Sequence, residues 1–488
     1  MRVSVSKKLI LCLIVSVLCL VWLGLQSKAE AKCVTLGIGK KATADGSVIM
    51  AHHEDYGPND CMHIVYHPRA THKKGEIIDF AFEDVPQVEL TYAYTADEMY
   101  DPERLGMPPA TFMNGINEWG VTASSNCFDT KEPLLPNDKG LGWPEMLQLV
   151  MERCKTAREG IELCTRLIDK YTFNGFEATS CKNLTFVIGD PNEVWQMAVT
   201  NRHYVARRIP DDGGLFYANE LQIETEWDIA SDDLIDYAVA QGWYDKSSGE
   251  PFNFKKVYGK DLGQDWNVKR QEGLRALLQP KLGSVTVQDV MAALRSHYEG
   301  TKDYNMPHSG NYTGAGGRVV SICNDANHSS EVYHLRGNMP TAIGSVMWIC
   351  SGVPCCGVFT PIYAGNRGQT PEAWRTGSDS FDPDSAWWTF EQIQRVVTPI
   401  EPDPEFYNTY QPQVRARWDK VQQIEFAETA QLEKEAMKLW KDGKADEAHK
   451  LLTDYTNRRL RTNYWIAQGL LSWLYAMGGE PEKAAKHW

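Results

Sequence analysis

The chain has 488 residues, a formal net charge of −14 and twelve cysteines. Without residues 1–32, which hold five of the Lys/Arg and one Glu, 45 basic residues face 63 acidic ones, a charge near −18. No basic run is left to neutralise phosphates, so nucleic acid is excluded as a partner, and the remaining length can bury a large core in one or two domains.

Residues 1–31 read as a signal peptide. Arg2, Lys7 and Lys8 make a positive start, Leu9–Leu25 is apolar throughout, and Ala29-Glu30-Ala31 is a small-x-small cleavage pattern. The expected destination is export, to periplasm, cell surface or medium. Membrane contact is expected only if the leader stays attached. Ten cysteines follow the leader, and export permits disulfides among them. None lies in a CxxC or in paired zinc spacing. Sequons stand at Asn183, Asn311 and Asn327.

From Cys33 the punctuation is that of a β-rich protein. "CVTLGI" and "SVIMAHH" flank the polar "GKKATADG", which predicts a hairpin. "HIVYH", "EIIDFAF", "QVELTYAY" and "GVTAS" read as further strands. Helical periodicity follows at "PEMLQLVMERC", with Pro144 suited to a first turn, and at "AREGIELCTRLIDKY". Strand patterns return at "NLTFVIGD", "EVWQMAV", "HYVARRI", "GLFYA", "RVVSIC", "EVYHLR" and "GSVMWICSG". Runs of strands broken by helix pairs predict layered α+β packing. From about residue 381 the pattern becomes two or three long amphipathic helices, expected to pack on the domain before them.

Cys33 lies just beyond the cleavage pattern. A cysteine there can be structural, lipid-modified or an N-terminal nucleophile. The residues "AEAK" before it lack the character that lipid processing expects. If everything upstream is removed, Cys33 offers a thiol beside its own α-amine, whose ordinary pKa of about 7.7–8.0 suits a base near neutral pH. A nucleophile beside a base is what covalent acyl transfer requires. Lys32 would then remain as one residue to be removed in a second maturation step.

Cys33, "GKKATADGS" and "AHHED" together resemble the dipeptidase/secernin family of cysteine-type N-terminal-nucleophile hydrolases. The resemblance continues in order through "GINEWGV", "DPNEVWQM", "HYVARRIPDD", "YANEL", "LRGNMPTAIGSVMW", "TPIYAG", "SAWWTF" and "LLTDYTN". Bile-salt hydrolases and penicillin acylases are more distantly similar. The resemblance implies a four-layer αββα sandwich over residues 33–380, with the helical region 381–488 packed on it. It also implies amide hydrolysis through a thioester, usually on dipeptides, with no metal and no organic cofactor.

The resemblance assigns roles by position. Cys33 matches the nucleophile, its α-amine the base, and Asp55 the acidic end of an Ala-Arg-x-Glu-Asp motif. Position 52 departs from that motif: His52 stands where relatives carry Arg, which predicts a titratable substitute cation. Asn219 in "YANEL" matches an oxyanion-binding amide, with Asn126 in "SSNCF" as a second candidate. Arg318 in "GGRVVS" matches an active-site arginine of the acylases.

The expected partners are small peptide substrates, with homo-oligomerisation left open. Two other readings stand beside this one, an N-acyl amide acylase of the same fold and a non-catalytic exported binding protein. A metal at His63-x3-His67 is disfavoured, because strand alternation would set those side chains about 13 Å apart.

Overall fold

"GKKATADG" closes a tight hairpin. Gly46 takes a φ of +76°, open to glycine at no steric cost, and Ser47 N donates to Asp45 Oδ1 at 3.1 Å. The turn joins β1 (Val34–Ile38) to β2 (Val48–Asp55) in antiparallel register, Val34 opposite His53 and Thr35 opposite His52. That register brings Cys33 across from Glu54 and puts both side chains on one face.

The computed structural model describes residues 33–55, 59–101, 111–133, 139–175, 183–302, 304, 320–324, 326–398 and 404–480. Residues 1–32, where a signal peptide and Lys32 are expected, lie outside the described residues, as do Asn311 and Arg318. The remaining strands of the main sheets are β3 (Met62–His67), β4 (Tyr94–Met99), β5 (Phe112–Asn117), β6 (Thr122–Phe128), β7 (Asn183–Gly189), β8 (Val194–Val199) and β9 (Tyr204–Arg208). They are followed by β10 (Gly214–Tyr217), β11 (Ile229–Ala230), β12 (Asn327–Leu335), β13 (Ser345–Ser351) and β14 (Thr360–Tyr363). One sheet has the order β10-β1-β2-β12-β13-β14, the other β11-β9-β8-β7-β6-β5-β4-β3. Their neighbours pair antiparallel throughout.

The two sheets pack face to face. Met50, Tyr217, Tyr333 and Met347 of the first meet Ile64, Ile116 and Val187 of the second in one apolar cluster. A Cβ added at Gly37 would sit 2.8 Å from Val194 Cγ1, so only glycine permits that approach between β1 and β8. Helices α1 (Trp143–Arg153) and α2 (Ala157–Tyr171) cover the outer face of the eight-stranded sheet, packing Met146, Val150, Ile161 and Ile168 on Phe186 and Met197. Helices α3 (Asp265–Leu278) and α4 (Val287–Leu294) cover the other outer face, Leu274 and Val290 meeting Leu36 and Val332. These are the four αββα layers. With helices over both sheets, β2 is buried at every position, so its sequence lacks the alternation of a half-exposed strand.

Residues beyond about 381 are helical as expected, in α5 (Ala386–Val397), α6 (Pro404–Lys441) and α7 (Ala445–Ala476). Their apolar stripes bury Val414, Trp418, Leu452, Leu460 and Leu471. No helix among the described residues is long and apolar enough to cross a membrane.

Three local expectations change. In "RVVSIC" the described residues 320–323 form no strand; Cys323 N instead donates to Ser296 O at 3.1 Å. "EIIDFAF" and the start of "QVELTYAY" supply short ribbons outside both sheets (Ile77–Asp79 with Asp84–Pro86, Ala70–Thr71 with Leu90–Thr91). Asn183 and Asn327 are 2% and 1% exposed inside strands, so neither sequon is open to a glycan in the folded chain.

Candidate active site

Cys33 enters β1 with its side chain between the sheets and is 2% exposed. Its Sγ lies 3.6 Å from Glu54 Oε1 and 3.9 Å from the carbonyl oxygen of Asp55. Burial, then the negative charges of Glu54 and Asp55, push the thiol well above its ordinary pKa, and Arg270 opposes them weakly. The resting sulfur is therefore a thiol. Chemistry on it requires a base at the moment of attack.

Arg270, on α3, is fully buried and organises the front of the site. Its Nη1 donates to Cys33 O at 3.2 Å, and its Nη2 to Asn219 Oδ1 at 3.0 Å and Asn267 Oδ1 at 2.9 Å. Trp266 stacks under the guanidinium, 5.2 Å from ring centroid to Cζ. Asn267 also fixes the Asn219 backbone, donating to its carbonyl at 2.7 Å and accepting from its N–H at 3.1 Å. With Asn219 Oδ1 taken by Arg270, its Nδ2 is buried without a partner among the described residues. Asn126 repeats this pattern: its Oδ1 accepts from Thr35 Oγ1, and its Nδ2 is buried and unpaired among those residues. A buried donor of this kind costs about 1–3 kcal/mol until a partner takes it up.

Asp55 sits on the opposite face of β2 from Glu54. Asn324 Nδ2 donates to its Oδ2 at 3.1 Å and Asn327 Nδ2 to its Oδ1 at 2.5 Å. Burial raises its pKa, while Arg270 and the two asparagines restrain the rise. The carboxylate that faces the sulfur is Glu54, not Asp55.

His52 does not face Asp55. Alternation along β2 turns it inward, where Nδ1 lies 2.7 Å from Thr35 Oγ1 and Nε2 3.2 Å from Glu54 Oε2. Asn114 Nδ2 donates to the same Glu54 oxygen at 2.7 Å. His52 thus positions Glu54. His63 and His67, on β3, contact Gly377 O and Glu98 separately.

Below Glu54 the sheets bury two more acids, Asp97 on β4 and Glu331 on β12. Desolvation raises Asp97 to about 7, helped by Glu54, and raises Glu331 well above its ordinary value, helped by Asp97. The pair keeps a proton that the unfolded chain would release near pH 4. The folded state therefore binds more protons between about pH 4 and 7, and stability falls as pH rises through that window. Asp97→Asn should remove much of this slope. In urea unfolding, the variant's stability relative to the parent should improve by about 2 kcal/mol between pH 5 and pH 7.5. A difference that does not move with pH would contradict the shared proton.

Of the residues that sequence reasoning singled out, the structure brings Cys33, Asp55, Asn219 and Asn126 together here. That reasoning missed Arg270, Glu54, Asn114, Asn324 and Asn327. In "WNVKRQEG" the arginine reads as an ordinary helix-surface residue, and only the packing of α3 on the first sheet buries it.

A buried thiol at a strand entrance, anchored by an arginine and flanked by unpaired amide donors, has the parts that covalent amide chemistry needs. The chain belongs to peptidase family C69, whose family model matches residues 32–283 and 267–419. It is similar to a probable dipeptidase of Salmonella dublin, 28% identical over 376 residues that cover 70% of this chain and 82% of that one. It is also similar to a probable dipeptidase of Latilactobacillus sakei, 25% identical over 410 residues covering 75% and 80%. Among solved structures, penicillin V acylase from Agrobacterium tumefaciens is similar at 13% identity and a TM-score of 0.38, covering 68% of this chain and 86% of that one. A mutant conjugated bile acid hydrolase from Clostridium perfringens is similar at 12% identity and a TM-score of 0.35, covering 65% and 89%.

Proposed function

We propose that this protein is an exported dipeptidase that cleaves the peptide bond through a thioester on Cys33, after maturation makes Cys33 the N-terminal residue. The carrying observation is the thiol's setting: its own carbonyl and Asn219 are gripped by one buried guanidinium, Arg270. Membership of a peptidase family and the names of its relatives, probable dipeptidases, support the substrate class.

The α-amine of Cys33 takes the thiol proton as Sγ attacks the scissile carbonyl carbon. The carbonyl oxygen becomes an oxyanion, and the Nδ2 groups of Asn219 and Asn126 donate to it. Collapse breaks the C–N bond, and the α-ammonium returns the proton to the leaving amine. Water, deprotonated by the same amine, then hydrolyses the thioester and frees the thiol. Glu54, held by His52 and Asn114, keeps the sulfur protonated until the amine acts. Asp55, fixed by Asn324 and Asn327, holds negative charge close to the site for the ammonium state. The leader pattern supports export, as does a disulfide at Cys127, a bond at home in oxidising compartments.

The test is mass mapping of the active protein's N-terminus beside dipeptide hydrolysis. The expected result is a chain that begins at Cys33 with a free amine. Active protein that retains Lys32 would sink the proposal.

A further inference from the structure

Far along the chain from the catalytic thiol, three buried side chains converge. His297 follows α4, Cys323 precedes β12, and Cys355 lies in the loop between β13 and β14. They are 3%, 0% and 3% exposed, and one ligand atom from each lies within 4.8 Å of the others. Two sulfurs and an imidazole around a zinc ion would stand about 3.5–4 Å apart, so the set needs to close by no more than about an ångström.

The surroundings favour a metal over a merely packed cluster. Glu299 Oε1 accepts from His297 Nδ1 at 2.8 Å, which fixes the tautomer and turns Nε2 to the sulfur side, where His297 reaches Cys355. A carboxylate on the far nitrogen is the usual support of a metal-bound histidine. Cys356 adds a third sulfur, 3.7 Å from that of Cys355. His297, Glu299 and Cys355 also line a cleft of about 900 Å³, which gives an ion a way in.

We propose that His297, Cys323 and Cys355 form a structural site for a soft divalent cation of the zinc type, with Cys356 the nearest further donor. Imidazole with thiolate selects such ions over magnesium or calcium. The site would staple three segments that no shared strand joins. One of them carries Asn324, beside Cys323, which holds Asp55 at 3.1 Å. It is separate from the chemistry proposed for Cys33.

The test uses full-length protein carrying Cys33→Ser, since Cys33, His52 and Glu54 form another soft-donor group. Reduced, metal-free protein is titrated with Co²⁺ and followed by its sulfur-to-cobalt charge-transfer band. One equivalent should bind, give the band and be displaced by Zn²⁺. Cys355→Ser should abolish the band. Glu299→Gln, at a half-exposed side chain that does not threaten the fold, should weaken Co²⁺ binding about 10–100-fold. Three results overturn the proposal: no saturable band in the reduced protein, a band that survives Cys355→Ser, or unchanged affinity in Glu299→Gln.

Discussion

Cys33→Ala should reduce dipeptide hydrolysis by at least about 10,000-fold while leaving the fold in place. The rate loss follows from removing the only atom able to carry the acyl group; nucleophile deletions elsewhere reach about a million-fold in kcat. Stability should change by no more than about 1 kcal/mol, because the lost sulfur is small. The charges of Glu54 and Asp55 also disfavour its ionised form, so no ion pair is broken. Steady-state kinetics with a panel of dipeptides, beside urea unfolding, reads both quantities. Activity above a tenth of the parent's in a folded Cys33→Ala protein would falsify the nucleophile assignment.

Arg270→Met is expected to cost both stability and rate. Oxygens of Cys33, Asn219 and Asn267 accept from this guanidinium in the interior, and the Trp266 carbonyl accepts from its Nε at 3.2 Å. Methionine fills much of the volume but takes the donors from the Cys33 carbonyl and Asn219 Oδ1, while Asn267 Oδ1 keeps the Asn219 N–H, a cost of about 3 kcal/mol. The rate should fall at least about 100-fold, because Asn219 loses the bond that orients its amide. Asn219→Ala alone should give a similar fall in kcat with little change in stability, as for one oxyanion donor. Arg270→Lys should not restore the parent's rate, since an ammonium cannot fork across two separated acceptors. An Arg270→Met enzyme with the parent's kcat would mean that Asn219 holds its place without the guanidinium.

Much of the architecture could be read from the chain before any coordinates. The hairpin was legible because "GKKATADG" has the turn residues its backbone needs, and the two strands flanking it are apolar. The tail was legible because α6 and α7 keep helical periodicity over tens of residues. Cys33 stood out by its position after the small-x-small pattern, and Asn219 by the motif around it.

What stayed hidden depends on pairings across the fold. Glu331 meets Glu54 and Asp97 only because β12 pairs with β2 and the second sheet closes over them. Nothing local to "SSEVYHL" marks a buried acid. His52 and Asp55 belong to one motif in the sequence, yet strand alternation sends residues three apart to opposite faces. "RVVSIC" has strand-like composition, but its described part is bound to Ser296 in a loop and gains no neighbouring strand.

The grip of Arg270 on the Cys33 carbonyl bears on how such an enzyme could be activated. Ladder pairing of β1 begins at Val34 and Arg270 holds the Cys33 carbonyl, and both of these contacts lie on the carboxyl side of the cysteine. Severing the chain just ahead of it would break none of those bonds. Activation would then be like pulling a cap from a pen: the barrel's own joints stay as they were.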